Sequence, residues 1–323
     1  MSARKVVLWV FAAVVPVVAT SVMAATGIAP GIHLISGVTP HNAQPDGNSV
    51  IIDAPQGLIV FDTGRHAAHT QQVIDYAKAA GRPVTAIINS HWHLDHTGGN
   101  VLLRGEYPDV RIYASSALQG ALGDFLLKYR GQLAQAIAAA EKDPATQASL
   151  RTEMGLIDAG PKLAPTDVIT ASGRQKIAGR SLDVHLEHAA VTAGDVWVMD
   201  PKTRVLMAGD LVTLPAPFLD TACPGHWKAV LDRLAATRFK VLIPGHGLPM
   251  QHAALDTYRH AFSNLLACAA TTQPKDSCID GWVRDAGSLI VESDRGYAKA
   301  LVDYYMDAIL RGNADKVAKL CSA

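Results

Sequence analysis

The chain has 323 residues, of which 49% are hydrophobic, and its 29 Lys and Arg residues are balanced by 29 Asp and Glu residues. A near-neutral chain without a Lys/Arg cluster argues against nucleic acid as the main partner. The length is enough for two domains, although one large layered domain could use most of it.

The N-terminal segment has the pattern of a secretory signal. Arg4 and Lys5 precede the apolar run 6–18, and Ala24 ends a short stretch suited to cleavage. This run is shorter than the roughly 20 residues that a membrane-spanning helix needs, which favours cleavage over a retained anchor. We therefore expect a signal peptide over residues 1–24 and a periplasmic or secreted protein with no stable membrane anchor.

Short apolar runs bounded by turn residues predict strands in two groups. The first group comprises residues 32–35, 50–52, 58–61, 84–88 and 110–113, and the second comprises 168–170, 182–186, 196–199, 205–207 and 241–243. Between the groups, apolar residues recur at helical spacing from Leu118 to Ile137, although Gly120, Gly123 and Gly131 weaken this helix. Helices would thus intervene between the strands.

A cluster of polar side chains follows the apolar run 84–88 directly. His91 and His93 alternate on what would be extended backbone, so they project to the same side. The Thr-Gly-Gly sequence that follows turns the chain, which allows Asp95 and His96 to swing back toward them. Imidazole and carboxylate donors that converge in this way suit a borderline cation such as zinc.

The pattern His91-x-His93-x-Asp95-His96 resembles the signature of the metallo-β-lactamase superfamily. Three further landmarks stand in the expected order, each at the end of an apolar run: Asp62-Thr63-Gly64, Ala208-Gly209-Asp210 and Pro244-Gly245-His246-Gly247. The resemblance extends from about Gly31 to Met250. It implies an α/β fold, a four-layer αββα sandwich with a one- or two-metal site at one edge of the sheets. Residues 25–323 would then form a single domain with a helical extension from about residue 251.

The resemblance also implies about two zinc ions per chain and a metal-bound hydroxide as the nucleophile. Asp210 would bridge the two ions. Asp95, His96 and His246 would complete one position, and His91 and His93 would contribute to the other. The catalytic roles would fall to Asp95 and Asp210, because Asp95 could also orient the hydroxide or shuttle a proton.

The chain departs from the family pattern at one ligand. The family has a histidine in a His-Thr-x-Gly-Asp context, and here the matching stretch 191–195 begins with Val191. His188 could replace the missing ligand through a longer loop, or this position could have only His91, His93 and Asp210. We favour His188, because a catalytic zinc usually keeps three protein ligands and Asp210 would be shared.

Several residues near the expected site have more than one interpretation. Asp62 could accept a hydrogen bond from a ligand imidazole, or it could cap a helix. The apolar segment 212–219, which contains two prolines, could form a wall for the substrate or simply pack as a loop. A C-terminal helical stripe that includes Tyr297, Leu301 and Tyr305 is interpreted as core.

The four cysteines are interpreted as structural, because none has the spacing of zinc ligands. In an exported protein, Cys268 and Cys278 could clip a short loop. Cys223 and Cys321 could tie the C-terminus to the core. The connectivity does not follow from the sequence.

The resemblance leaves the substrate open, since one fold hosts many reactions. Asp210 matches the bridging carboxylate of the general hydrolases, whereas β-lactamases usually carry Cys or Ser there. Our first hypothesis is a periplasmic zinc-dependent hydrolase of an ester, lactone or related bond in a small molecule. The alternatives are a β-lactamase, a mononuclear iron oxygenase acting on a sulfur compound, and a metal-binding protein without catalysis.

Overall fold

Two β-sheets lie face to face in the computed structural model, which describes residues 25–38 and 44–322. The expected signal peptide lies outside the described residues. Within those residues, no helix is both long enough and apolar enough to cross a membrane.

The first sheet has seven strands in sequence order. They are β1 (Thr26–Ala29), β2 (Ile32–Ile35), β3 (Ser49–Ala54), β4 (Gly57–Phe61), β5 (Val84–Ile88), β6 (Arg111–Ser115) and β7 (Asp167–Ile169). The pairs from β1 to β4 are antiparallel, and those from β4 to β7 are parallel.

The second sheet has five strands in the order β12-β11-β10-β9-β8. They are β8 (Gly173–Ile177), β9 (Arg180–His188), β10 (Gly194–Asp200), β11 (Val205–Thr213) and β12 (Val241–His246). Only β11 and β12 are parallel, so their carboxyl ends lie side by side.

Eleven α-helices cover the described part of the chain. They are α1 (Ala67–Ala79), α2 (Leu94–Thr97), α3 (Asn100–Glu106), α4 (Ser116–Gly123), α5 (Phe125–Ala139), α6 (Pro144–Asp158), α7 (Pro224–Ala236), α8 (His252–Ala269), α9 (Lys275–Asp285), α10 (Arg295–Tyr305) and α11 (Ala314–Cys321). Short 3-10 turns occupy Gly160–Lys162 and Glu292–Asp294, and a π-helical turn occupies Met306–Leu310.

The alternation of side chains along each strand builds the four layers. Val50 and Ile52 on β3 belong to the apolar cluster between the sheets, whereas Ile51 belongs to a cluster with side chains of α1. On β10, Val198 faces the other sheet, and Trp197 packs in the cluster that holds α7 to α10. Each fully buried aliphatic side chain of this kind stabilises the fold by about 1.5–3 kcal/mol. The result is the expected αββα sandwich.

The apolar runs of the sequence predict ten of the twelve described strands and miss β1 and β8. β1 and β8 are short of buried apolar residues: β8 has the sequence GRQKI and buries only Ile177 fully. The glycine-weakened helix is broken, as expected, because α4 ends at Gly123 and α5 begins at Phe125.

Both expected cysteine pairs form disulfides. Cys268 is bonded to Cys278 between α8 and α9, and Cys223 is bonded to Cys321. The second bridge joins the residue before α7 to the end of α11, so it fastens the C-terminal helices to the body of the sandwich.

Candidate metal centre

The motif after β5 folds into a tight turn followed by one short helix. β5 ends at Ile88, His91 and His93 lie on the turn, and α2 carries Asp95 and His96. Two backbone bonds from the amides of His96 and Thr97 to the His93 carbonyl hold this geometry. All four of the polar side chains are buried, as the convergence of ligands requires.

Two parallel strands bring the remaining side chains to the same place. Asp210 lies on β11, and His246 is the last residue of the neighbouring β12. Glycines allow the close approach: Gly209 has φ +54°, and a Cβ there would lie 2.4 Å from the Cβ of Ser90. A Cβ at Gly245 would lie 2.0 Å from Oδ1 of Asp210. Side chains at these glycines would therefore displace the motif loop or the carboxylate.

Asp95, His96, Asp210 and His246 form the first of two ligand groups, which we call the four-ligand group. His246 Nε2 lies 3.0 Å from Asp95 Oδ2 and 3.6 Å from Asp210 Oδ1. His96 Nε2 lies 3.2 Å from Asp210 Oδ1 and 3.6 Å from Asp95 Oδ2. A tetrahedral zinc with bonds of about 2.0–2.1 Å separates its ligand atoms by about 3.3 Å, so this group fits such an ion.

His91, His93 and Asp210 form the second group, the three-ligand group. His91 Nε2 lies 3.9 Å from Asp210 Oδ2, and the rings of His91 and His93 are 4.4 Å apart. Asp210 belongs to both groups and offers a separate oxygen to each. A carboxylate that bridged two metals would need this arrangement.

Three atoms aimed into the centre have no hydrogen-bond partner although they are buried: His91 Nε2, His96 Nε2 and Asp210 Oδ1. Buried polar atoms without partners are rare and cost about 1–3 kcal/mol each. Each of these atoms has a free lone pair or charge that a cation would satisfy. The residues present therefore fit a metal centre.

Asp62 sets the orientation of two of the ligand imidazoles. Its Oδ2 accepts hydrogen bonds from His96 Nδ1 at 2.8 Å and from Ser90 Oγ at 2.7 Å, and its Oδ1 accepts from the Ser90 amide at 2.7 Å. Ser90 Oγ spends its single proton on Asp62, so it can only accept from His91 Nδ1 at 2.9 Å. In their neutral, metal-binding form, His91 and His96 would thus carry their hydrogens on Nδ1, which leaves both Nε2 lone pairs for the centre. Asp62 therefore accepts a hydrogen bond from the imidazole of His96, one of the candidate ligands.

The alternative role of Asp62 as a helix cap is wrong. The helix that follows, α1, begins only at Ala67 and has His66 at its N-cap position. Asp62 has φ +58° because the chain turns sharply out of β4 to aim this carboxylate at the motif.

Burial and charge set the protonation of the ligands before a metal binds. Burial disfavours a charged His96 and His246, but the facing carboxylates of Asp210, Asp62 and Asp95 raise the pKa of His96 well above its ordinary value, and those of Asp210 and Asp95 raise that of His246. These two rings must therefore release a proton when a metal binds.

Burial lowers the pKa of His93 to about 4 and that of His91 well below its ordinary value, so both rings are neutral at pH 7. Burial alone would raise the pKa of Asp95 and of Asp210. The facing His96, together with His246, instead holds the pKa of both carboxyls below the ordinary range.

Comparison with known proteins accounts for this centre. A family model described as the metallo-beta-lactamase superfamily matches residues 44–246. The chain belongs to this superfamily. The match begins before Asp62 and ends at His246, so it contains every residue of both ligand groups.

Two curated relatives of this superfamily chain are named as hydrolytic enzymes. A linear primary-alkylsulfatase of Pseudomonas sp. is 31% identical over 222 residues, which cover 62% of this chain and 41% of that protein. A hydroxyacylglutathione hydrolase of Thermosynechococcus vestitus is 34% identical over 85 residues, which cover 25% of this chain and 31% of that protein. The chain therefore spans less than half the length of these relatives.

Solved structures share the superfamily fold. The stereoselective inverting sec-alkylsulfatase of Pseudomonas sp. gives a TM-score of 0.59 at 20% identity and covers 90% of this chain and 51% of its own. A metallo-beta-lactamase from Pontibacter korlensis gives a TM-score of 0.53 at 21% identity and covers 74% of this chain and 98% of its own.

His188 does not join the superfamily centre in this structure, contrary to the ligand set that we favoured from the sequence. It is the exposed last residue of β9 and belongs to neither ligand group. The chain turns at Ala189, which has φ +50°, and returns along β10 with Gly194 opposite His188. The turn leaves His188 at the edge of the sheet, so the alternative set of His91, His93 and Asp210 is the one that the structure assembles.

A cavity of about 310 Å³ opens in front of the centre. His93, Asp95, Asp210 and His246 contribute to its lining, and most of the rest is apolar. The apolar and aromatic lining comes from Trp92, Phe125, Leu126, Leu214, Pro215, Ala216, Phe218, Tyr297, Leu301 and Tyr305. The apolar segment after Asp210 thus does form a wall. The stripe on α10 was interpreted as core only, but Tyr297, Leu301 and Tyr305 also face this cavity.

Arg65 is a residue of the site that sequence reasoning missed. Its guanidinium is buried at the cavity, lies 3.5 Å from Asp95 Oδ1 and forms an ion pair with Glu153 on α6. Tyr129 donates to the same Glu153 oxygen at 3.3 Å. Arg65 therefore positions the Asp95 carboxylate. Its place directly after Asp62-Thr63-Gly64 was the signal that could have identified it.

Replacing Asp62 by Asn should weaken metal binding by about 10–100-fold, because the amide group removes one of the two acceptor oxygens. Asn tolerates a positive φ, so the turn after β4 should survive. Chelator competition with the purified protein measures the affinity. Asp75→Asn is the control, because this exposed residue of α1 accepts a hydrogen bond from Gln71 on the same helix, and it should retain wild-type affinity. Equal affinities of Asp62→Asn and Asp75→Asn would contradict the role assigned to Asp62.

Proposed function

We propose that the protein is a zinc-dependent hydrolase of ester-type bonds, with two metal positions formed by the four-ligand and three-ligand groups. The observation that carries this proposal is the set of unpartnered, buried ligand atoms of His91, His96 and Asp210 at the floor of an open cavity. Zinc bound there would lower the pKa of a coordinated water to about 7 and polarise the bond to be cleaved. The same observation disfavours a protein that has lost its metal.

The protein's own residues hold the reacting groups in place. Asp210 would serve both positions through its two oxygens, which fixes the distance between them. Asp95 would bind through Oδ2, while Arg65 restrains Oδ1 at 3.5 Å. Because its pKa is held well below the ordinary range, Asp95 is ionised at neutral pH and can accept a hydrogen bond from an attacking water.

The cavity supports a substrate with an apolar group next to the reacting bond. Its walls are formed by aromatic and aliphatic side chains from α5, from the segment after β11 and from α10, together with Trp92 on the turn after β5. The buried Arg65 guanidinium at the cavity is already paired with Asp95 and Glu153. Esters and lactones with an apolar chain fit these walls. A sulfate ester with such a chain is a further candidate, which the alkylsulfatase relative supports.

We also propose that the protein works in an oxidising compartment, either the periplasm or the exterior. The two disulfides support this location, because such bonds persist outside the reducing cytosol. The pattern of the first 24 residues agrees with export.

Zinc-loaded protein should hydrolyse p-nitrophenyl octanoate or dodecyl sulfate with a higher kcat/KM than p-nitrophenyl acetate or a short alkyl sulfate. Asp210→Asn should lower kcat/KM by about 10³-fold or more, because the metal contributes several kcal/mol of transition-state stabilisation. Initial rates by absorbance or by released sulfate measure both effects. No hydrolysis of any of these substrates, or equal rates for wild type and Asp210→Asn, would overturn the proposal.

Phe218→Ala should lower kcat/KM for the long-chain substrate by about tenfold and change that for the short one by less than about twofold. The ring is partly exposed and lies 5.0 Å from the His93 ring, so its loss removes an apolar contact worth about 1.4 kcal/mol to a long chain. Val291→Ala, at an exposed apolar residue that does not line the cavity, is the matched control. Equal losses for long and short substrates would show that Phe218 does not recognise the chain.

A further inference from the structure

The two ligand groups are unequal in composition. Besides the shared Asp210, one group has Asp95, His96 and His246, whereas the other has only His91 and His93. The shared carboxylate must also divide its charge between both positions. Because affinity follows the number of anionic and imidazole ligands, this asymmetry has consequences for how a metal is held.

The residue at the altered motif belongs to the apolar core. Val191 is 0% exposed and lies in the cluster that holds Leu211, Leu219 and Trp227. Its backbone carbonyl accepts a hydrogen bond from Thr221 Oγ1 at 2.9 Å. An apolar side chain therefore stands at the motif position, and only its backbone is engaged in polar contacts near the centre.

Thr221 links that carbonyl to the three-ligand group. Its Oγ1 lies 3.0 Å from His93 Nε2. The hydroxyl has one proton, which it donates to the Val191 carbonyl, so toward His93 it can only accept. His93 therefore carries its hydrogen on Nε2 and keeps the lone pair of Nδ1. The threonine fixes the ring but adds no ligand, since a threonine hydroxyl is not among the usual ligands of zinc.

We infer that the two metal positions differ strongly in affinity: the four-ligand group holds its zinc tightly, and the three-ligand group holds a second zinc weakly and exchangeably. The inference rests on the proposed zinc dependence, but it concerns binding rather than turnover. Val191 stands where the superfamily pattern has the third ligand of the second position. Loss of a partner in the outer shell already costs about 10–100-fold in affinity, so loss of a whole ligand should cost about 100-fold or more.

The test is the number of zinc ions that remain after the loaded protein passes over a chelating resin, counted by elemental analysis. Wild type should retain about one zinc per chain, and Val191→His should retain about two, because the new imidazole completes the second position. Val191→Ala is the matched control and should behave as wild type. The turn at this residue should tolerate the changes, because Asp195 holds it through the amide and hydroxyl of Thr192.

Two ligand variants keep the inference testable if Val191→His does not fold. His246→Ala should lose the tightly held zinc, whereas His91→Ala should keep it. Circular dichroism checks that both variants are folded. The inference is overturned if wild type retains two zinc ions through the resin, or if His91→Ala rather than His246→Ala loses the tight ion.

Metal retention separates this inference from the proposed function. One tight zinc that depends on His246, in a protein that cleaves no ester, would support the inference and overturn the proposed function. A wild-type protein that hydrolyses esters while holding two equally tight zinc ions would support the proposed function and overturn the inference. A protein that retains no zinc would overturn both.

Discussion

The hydrogen bonds accepted by the buried Asp62 carboxylate are the constraint on which the centre depends. They join the turn after β4 to the segment after β5 and fix His91, through Ser90, and His96 directly. Burial disfavours the charged form of this carboxylate and therefore raises the pKa of Asp62. The penalty is offset because three donors converge on it, an arrangement that a surface aspartate would not need. One side chain thus determines which ring nitrogen faces a metal in both ligand groups.

The sandwich supplies the second constraint, which is position. The alternation of buried side chains packs the two sheets face to face, and the parallel pair of β11 and β12 places Asp210 beside His246. Gly209 lets β11 approach Ser90 in the loop after β5, and Gly245 leaves room for the Asp210 carboxylate beside β12. Packing in the core therefore sets distances between polar atoms at its edge. The C-terminal helices, fastened by the Cys223–Cys321 disulfide, then close one wall of the cavity through α10.

Local patterns in the sequence predict most of the strands and four of the candidate ligands. Runs such as 84–88 predict strands, and His91, His93, Asp95 and His96 cluster within one turn, so their convergence follows from nearby backbone. Asp210 and His246 required the family motifs, because strand pairing over long distances brings them in. Contacts that depend on tertiary packing alone are not predictable from local sequence. The Arg65–Glu153 ion pair joins residues 88 positions apart, and Thr221 contacts His93 across a separation of 128 positions. His188 was favoured because it is near Val191 in sequence, but the turn at Ala189 leaves it exposed at the end of its strand.

The most direct test of a metal centre at this place is a crystal of the zinc-loaded protein, with diffraction measured on both sides of the zinc absorption edge. We expect an anomalous difference peak among Asp95, His96, Asp210 and His246, and at most a weaker peak beside His91 and His93. A strong peak elsewhere, for example at His188, or no peak between these side chains in zinc-loaded crystals, would contradict this expectation.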